Sequence, residues 1–128
     1  MANILDTPDT TSYYSRSDIE GNKLMAVLSY LGILVLVPIL AAKDSPFAKF
    51  HATQGINLLI VGVAWSIVSG IISVILGLIG VAFLSVLWSI ITWLVSIVIF
   101  LTMVIGILNA AQGKAKELPV IGGFRILK

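Results

Sequence analysis

The chain contains no cysteine, which excludes disulfides, thiolate nucleophiles and cysteine-bound metals. Histidine occurs once, at His51. A structural or catalytic metal needs three or four protein ligands, so no metal site and no cofactor are expected. Charge is scarce as well: Asp, Glu, Lys and Arg make up 11% of the 128 residues, against about a quarter in a soluble domain. The net charge of +2 is too small to suggest nucleic-acid binding, and the basic residues flank apolar runs. From Thr53 to Gln112 there is no Asp, Glu, Lys, Arg or His at all. That stretch therefore holds no carboxylate for a proton relay or cation site. No serine in it has a histidine within its own segment to act as base. No Walker loop and no glycine-rich dinucleotide fingerprint occurs. Enzymatic activity is not expected, and an ion-coupled transporter lacks its usual intramembrane charges.

What is present is apolar sequence: 59% of residues are hydrophobic and the mean hydropathy is +1.09. Runs of about 18 or more apolar residues read as transmembrane helices. Residues Leu24 to Ala42 form a first run, with Pro38 placed to kink its end. The break Lys43-Asp44-Ser45-Pro46 follows. Asp44 or Ser45 is suited to cap a helix start, and Pro46 suits a first helical position. The turns from Phe47 to Gln54 are amphipathic and read as a short interfacial helix, with Gly55 marking a bend into the membrane. The long run would reach about 90 Å as one helix, so it must fold back. Two spans, about 56–78 and 86–109, fit it, with a turn around Gly77 and Gly80.

The expected fold is all-α: an integral membrane protein of three transmembrane helices. A flexible polar tail (1–22) precedes a membrane domain (23–113, spans about 24–42, 56–78 and 86–109) and a basic tail (114–128). The N-terminus is polar and carries Asp6, Asp9, Asp18 and Glu20, so it does not read as a cleavable signal peptide. With three spans, Arg16 and Lys23 fall on one side, and Lys43, Lys49, Lys114, Lys116, Arg125 and Lys128 on the other. The positive-inside rule then puts the first loop and C-terminus in the cytoplasm and the N-terminus outside a bacterial inner membrane.

Two candidate surfaces emerge. Gly62, Ser66, Gly70, Ser73 and Gly77 lie within one narrow face of the second span, and Ser85, Ser89, Thr92 and Ser96 share a face of the third. Small residues permit close helix approach in lipid, so these two stripes are expected to form the hairpin seam. The functional alternative for the same stripe is the lining of a pore or a homodimer face. The second surface is polar. Phe50, His51, Gln54 and Gly55 enter the second span, and Asn109, Gly113, Lys116 and Pro119 follow the third; in a hairpin they meet at one membrane face as a partner-contact site.

The stretches Lys49-Phe50-His51-Ala52-Thr53-Gln54-Gly55 and Gly113-Lys114-Ala115-Lys116-Glu117-Leu118-Pro119-Val120-Ile121-Gly122 resemble the signatures of a family of small bacterial membrane proteins. That domain-of-unknown-function family is grouped with the twenty-kilodalton subunit of the chloroplast inner-envelope protein translocon. The resemblance spans about Lys23 to Gly122. It implies an interaction or accessory subunit of a membrane assembly, with protein translocation as the process. The alternative from another class is a homo-oligomeric pore, holin-like forms included. The partners expected are the lipid bilayer and either a protein or further copies of the chain, with no nucleic acid.

Overall fold

A computed structural model describes residues 6–123. Arg125 and Lys128, counted above for orientation, lie outside the described residues. The chain is mostly helical, in the order α1 (Arg16–Gly21), α2 (Lys23–Leu28), α3 (Leu36–Ala41), α4 (Pro46–Ile79) and α5 (Ala82–Ala111), with 3-10 turns at Thr11–Tyr13 and Gly32–Val35.

Two of the helices are long and apolar enough to cross a membrane, α4 with 34 residues and α5 with 30. At 1.5 Å per residue they measure about 51 and 45 Å. Ser45 caps α4, accepting a hydrogen bond from the Ala48 amide at 3.0 Å, and Pro46 occupies the first turn. Gly80 ends α4 in the left-handed region (φ 79°), and α5 begins two residues later. Only a residue without Cβ adopts that conformation freely, which makes the hairpin turn abrupt.

The third expected span does not form. Residues 24–42 break into α2, the 3-10 turn and α3. Gly32 turns the chain with φ 65°. In a continuous helix Pro38 would remove a main-chain bond and clash with the preceding turn. The segment descends beside the hairpin and returns. Its start is tied to the α4 N-terminus through Asp18, its middle sets the Ser29 carbonyl against Gly55 and the Tyr30 ring against Gly106, and its end leads back to Ser45.

Nor is there a separate interfacial helix before the second span. Residues 46–79 are one helix, continuous through Gly55. Gly55 serves a close approach instead of a bend: a Cβ there would overlap the Ser29 carbonyl.

The buried residues concentrate at the open end of the hairpin, where Ile19, Ala26, Tyr30, Phe47, Leu58, Ala110, Ala115 and Leu118 pack together. We call this end the cap. Beyond it the two long helices are largely exposed, with only 6% of their most apolar windows buried. The N-terminal tail, expected to be flexible and across the membrane from the C-terminus, is hydrogen-bonded to the C-terminal segment from Thr7 onward. The Thr10 amide donates to the Ala115 carbonyl (2.9 Å), the Glu117 amide to the Pro8 carbonyl (3.1 Å), and the Thr7 hydroxyl to the Glu117 carbonyl (2.6 Å). These bonds bring both segments together at the open end of the hairpin.

A polar clamp at the open end of the hairpin

The polar side chains that enter α4 meet the segment that follows α5. His51, Gln54 and Asn57 lie three residues apart along one face of α4 and are all buried. His51 Nε2 is 2.8 Å from the Lys114 carbonyl and Nδ1 is 2.6 Å from the Tyr30 hydroxyl. A carbonyl only accepts, so Nε2 carries the proton and Nδ1 accepts from Tyr30. The ring is packed edge-on by Phe47 (centroids 4.8 Å apart), Phe50 (5.2 Å) and Tyr30 (5.5 Å). Both ring nitrogens are engaged in the fold.

Gln54 holds the C-terminal segment at two points. Its Oε1 accepts from the Leu118 amide at 2.8 Å and its Nε2 donates to the Gly122 carbonyl at 2.9 Å. Asn57 Nδ2 donates to the Ile121 carbonyl at 3.0 Å. Gly122 sits so close that a Cβ would lie 2.7 Å from Gln54 Oε1 and 2.6 Å from the Leu118 backbone. Between these anchors Val120 adopts φ 66°, a left-handed conformation that β-branched residues rarely take, and the Ile121 amide donates to the Pro119 carbonyl across it (2.7 Å). The Val120 side chain is 83% exposed.

A second set of bonds fastens the N-terminal segment. Asp18 reaches the start of α4: it accepts from the Phe47 amide at 2.9 Å and from the Ser45 hydroxyl. A carboxylate at a helix N-terminus meets free amides and the positive end of the helix dipole. Asn22 Nδ2 donates to the same Asp18 carboxylate at 3.0 Å. At the outer edge, the Thr11 hydroxyl and amide hold the Asp9 carboxyl below the ordinary carboxylate range.

The expected partner-contact residues are thus divided. His51, Gln54, Gly55 and Gly113 are buried and join the chain to itself; Phe50, Asn109, Lys116 and Pro119 are half-buried. Tyr30, Ser29, Asp18 and Asn57 belong to the same assembly but form no motif in the sequence, and Gly122 stands only at the end of the second signature stretch. The hint the sequence does hold is its set of glycines, of which Gly55, Gly106, Gly113 and Gly122 prove to be close approaches.

The residues of the expected seam are mostly open in this structure. A Cβ added at Gly62, Gly70 or Gly77 would have nothing within 4 Å, and Ser66, Ser73, Ser89 and Ser96 are exposed, with Ser85 and Thr92 half-buried. The hydroxyls of Ser66, Ser73, Ser89 and Ser96 donate to the carbonyl four residues earlier in their own helices. Between the two helices the Trp65 and Trp88 rings are 5.9 Å apart, and the Trp88 indole donates to the Ser69 carbonyl at 3.3 Å. Gly62, Ser66 and Ser96 line an open apolar groove of about 470 Å³ with Tyr30 at its cap end. Among the described residues no cluster of three metal-ligating side chains occurs.

Comparison with known proteins identifies the relatives of this arrangement. The family model of the magnetosome magnetite crystal formation proteins (MamF/MmsF) matches residues 21–127. The magnetosome protein MamF of Paramagnetospirillum magneticum is 35% identical over 101 residues, 79% of each chain. MamF of Magnetospirillum gryphiswaldense is 48% identical over 46 residues (36% of this chain, 38% of the relative). MmsF of P. magneticum is 48% identical over 40 residues (31% and 37%). No solved structure matches. These matches overturn the resemblance to the chloroplast translocon subunit, and the translocation role goes with it. The signature stretches contain the clamp residues His51, Gln54 and Gly122, so they report how a cap is folded and carry no information about protein import.

Proposed function

We propose, from the premise that the chain belongs to the magnetosome magnetite crystal formation family, that it is a non-catalytic protein of the magnetosome membrane. It acts there as an interaction or accessory subunit. The observation that carries this reading is the one-ended distribution of charge. Every described Lys, Arg, Asp and Glu lies on the cap, and Arg125 and Lys128 follow it in sequence. The residues around the far turn, Leu78, Ile79, Val81 and Phe83, are exposed and apolar. A hairpin of two spans fits these facts: about 20 residues of each helix cross the hydrocarbon and the cap stays on one side. All eight Lys and Arg then favour a cytoplasmic cap. The N-terminus, placed outside by the three-span count, moves to the cytoplasm with it.

Orientation decides how the protein influences a crystal. With a cytoplasmic cap, the face toward the magnetosome interior is the uncharged turn, which has no ligand for iron; the influence on the mineral runs through the membrane and its proteins. In the reverse orientation Asp9, Glu20 and Asp44 would face the mineral. The chain has no cysteine, so single cysteines report cleanly. In sealed inside-out inner-membrane vesicles, a membrane-impermeant maleimide should label Lys43→Cys and spare Gly80→Cys. The reverse pattern would sink the proposal.

Non-catalytic action is supported by the engagement of both His51 nitrogens within the fold. The contact surface moves accordingly from His51 and Gln54 to the exposed Lys43, Asp44, Lys49 and Lys114. Crosslinking in native membranes, followed by mass spectrometry, should recover protein partners that a Lys43→Glu, Lys49→Glu chain loses; an unchanged set would remove this surface from the reading. A second reading, association of copies through the hairpin, is favoured by the open Gly62, Gly70 and Gly77 face. Disulfide trapping of Gly70→Cys pairs in membranes would detect it.

A further inference from the structure

We infer that the broken segment from α2 to α3 is a shallow wedge in the cap-side leaflet, and that it directs the protein to strongly curved membrane. The inference rests on the two-span reading above. The segment exposes Leu24, Ile33, Leu34, Leu36 and Leu40, with Leu24 and Ile33 each 69% exposed. Each of these side chains is at least 43% exposed, although the same segment buries Ala26, Tyr30 and Val35. Its occupant, lipid, follows from depth. About 20 residues counted from the turn at Gly80 fill a 30 Å hydrocarbon layer, which brings its boundary near residue 60 of α4. The segment packs at the level of Phe47 to Gly55, as the contacts of Asp18 with Phe47 and of Ser29 with Gly55 fix. It therefore lies in the headgroup and upper acyl layer, where amphipathic helices insert by about 5–10 Å. The exposed Lys43 ends the segment, and Lys23 begins it, held 3.3 Å from Glu20. Lys43 is followed by the exposed Asp44, so the rim of the apolar face is charged at both ends without a net sign and sits among the headgroups.

The consequence is a shape difference between leaflets. In the far leaflet the protein is two helices wide. In the cap-side leaflet the descending and returning pieces add two more, each about 10 Å across. A body wider at the cap side is accommodated best where that leaflet is convex. On a vesicle with the cap outward, this is the outer leaflet of a small sphere.

The test uses the full chain, fluorescently labelled and added from detergent to preformed giant vesicles of phosphatidylcholine with a minor share of phosphatidylglycerol. The charged cap cannot cross, so it stays outside. Membrane tubes are then pulled outward. We expect the density on the tube to exceed that on the parent vesicle by about threefold. An Ile33→Ser, Leu36→Ser, Leu40→Ser chain should show a ratio near one. These side chains are exposed, so the substitutions leave the packed cap intact. Equal enrichment of both chains, or none for the parent chain, overturns the inference. A depth measurement guards against misfolding of the variant: a fluorophore on Ile33→Cys in the otherwise intact chain should be quenched most by lipids spin-labelled near the headgroup. A water-exposed label, or one quenched at the bilayer centre, overturns the wedge. Failure of the two-span reading is separate, and shows as labelling of Gly80→Cys from the cap side.

Discussion

Gln54 provides the sharpest test of the clamp. It is fully buried and bonded at both ends of its amide to main-chain groups more than sixty residues away. Its orientation follows from its partners, because the Leu118 amide can only meet the oxygen and the Gly122 carbonyl only the nitrogen. Gln54→Ala removes both bonds and leaves a buried amide and a buried carbonyl without them. Each such loss costs about 1–3 kcal/mol. Some relaxation of the segment toward water offsets part of this, since Pro119 and Ile121 are only half-buried. A net local penalty of about 3 kcal/mol is therefore expected, or about a hundredfold in an opening equilibrium.

The effect should be confined to 117–122, because the hairpin keeps its own turn and tryptophan contacts. Hydrogen exchange followed by mass spectrometry, on the whole chain in mild detergent, reads this directly. Peptides covering Leu118 to Gly122 should exchange about a hundredfold faster, while those from the middle of α4 and α5 stay unchanged. Gln54→Glu should fare no better, since it places a carboxylate against the Gly122 carbonyl. Exchange of the 118–122 peptide within threefold of the parent chain would refute the argument, as would a uniform acceleration across the hairpin.

The other predictions follow from contrasts in the same structure. Gly55→Ala should lower the thermal midpoint in detergent severely, because its Cβ meets the Ser29 backbone; Gly70→Leu, on an open face, should leave it unchanged, and the opposite order would restore the small-residue seam. Thr92→Val should be neutral or stabilising by up to about 1 kcal/mol, since the Thr92 hydroxyl is buried without a hydrogen-bond partner; a clear loss in the same melt would show that the hydroxyl has a role. The Asp9 carboxyl is held below its ordinary pKa by Thr11, so its contribution is present above the unfolded-state value and is lost as pH falls through the folded one. Amide exchange at Thr11, corrected for intrinsic rates, should therefore accelerate below about pH 4 in the parent chain and not in Asp9→Asn; parallel behaviour of the two would remove the turn from the account.

The long helices are legible in the sequence because composition alone excludes other fates for an uncharged stretch of that length. The α4 start is legible too, since Ser45 and Pro46 carry local signals whose partners lie one turn away. The first run misleads because length and hydropathy do not distinguish a span from a chain that enters and returns. The deciding residues, Gly32 and Pro38, are individually compatible with either. The small-residue stripes are ambiguous for a different reason. Serine in an apolar helix can bond its own preceding turn, so a stripe of hydroxyls need not face a neighbour. Between the helices stand Trp65 and Trp88, residues whose pattern along the chain suits lipid contact or interfacial anchoring equally well. The clamp is half visible: His51 and Gln54 stand out as polar residues on one face, but their partners are backbone carbonyls and an amide, which no side-chain pattern encodes.

That choice of partners has a mechanical consequence. His51, Gln54 and Asn57 bond the segment from Lys114 to Gly122 along α4, while Asp18 and the Thr10–Ala115 contact bring the N-terminal segment to the same place. Each of these attachments is internal, so these polar groups are satisfied without a partner. The height of the cap relative to the hairpin is then set by the fold and not by lipid. The apolar length from cap to turn exceeds the hydrocarbon thickness, and the surplus must be accommodated by tilt or by apolar surface in the headgroup layer. The α2–α3 segment supplies that surface at the height the clamp imposes. A loosened clamp should therefore change how deeply the segment sits even though none of its own residues is altered. On this reasoning Gln54→Ala and the serine-substituted wedge act on one property of the protein from opposite ends, the first by releasing the cap and the second by removing what the cap holds in the membrane.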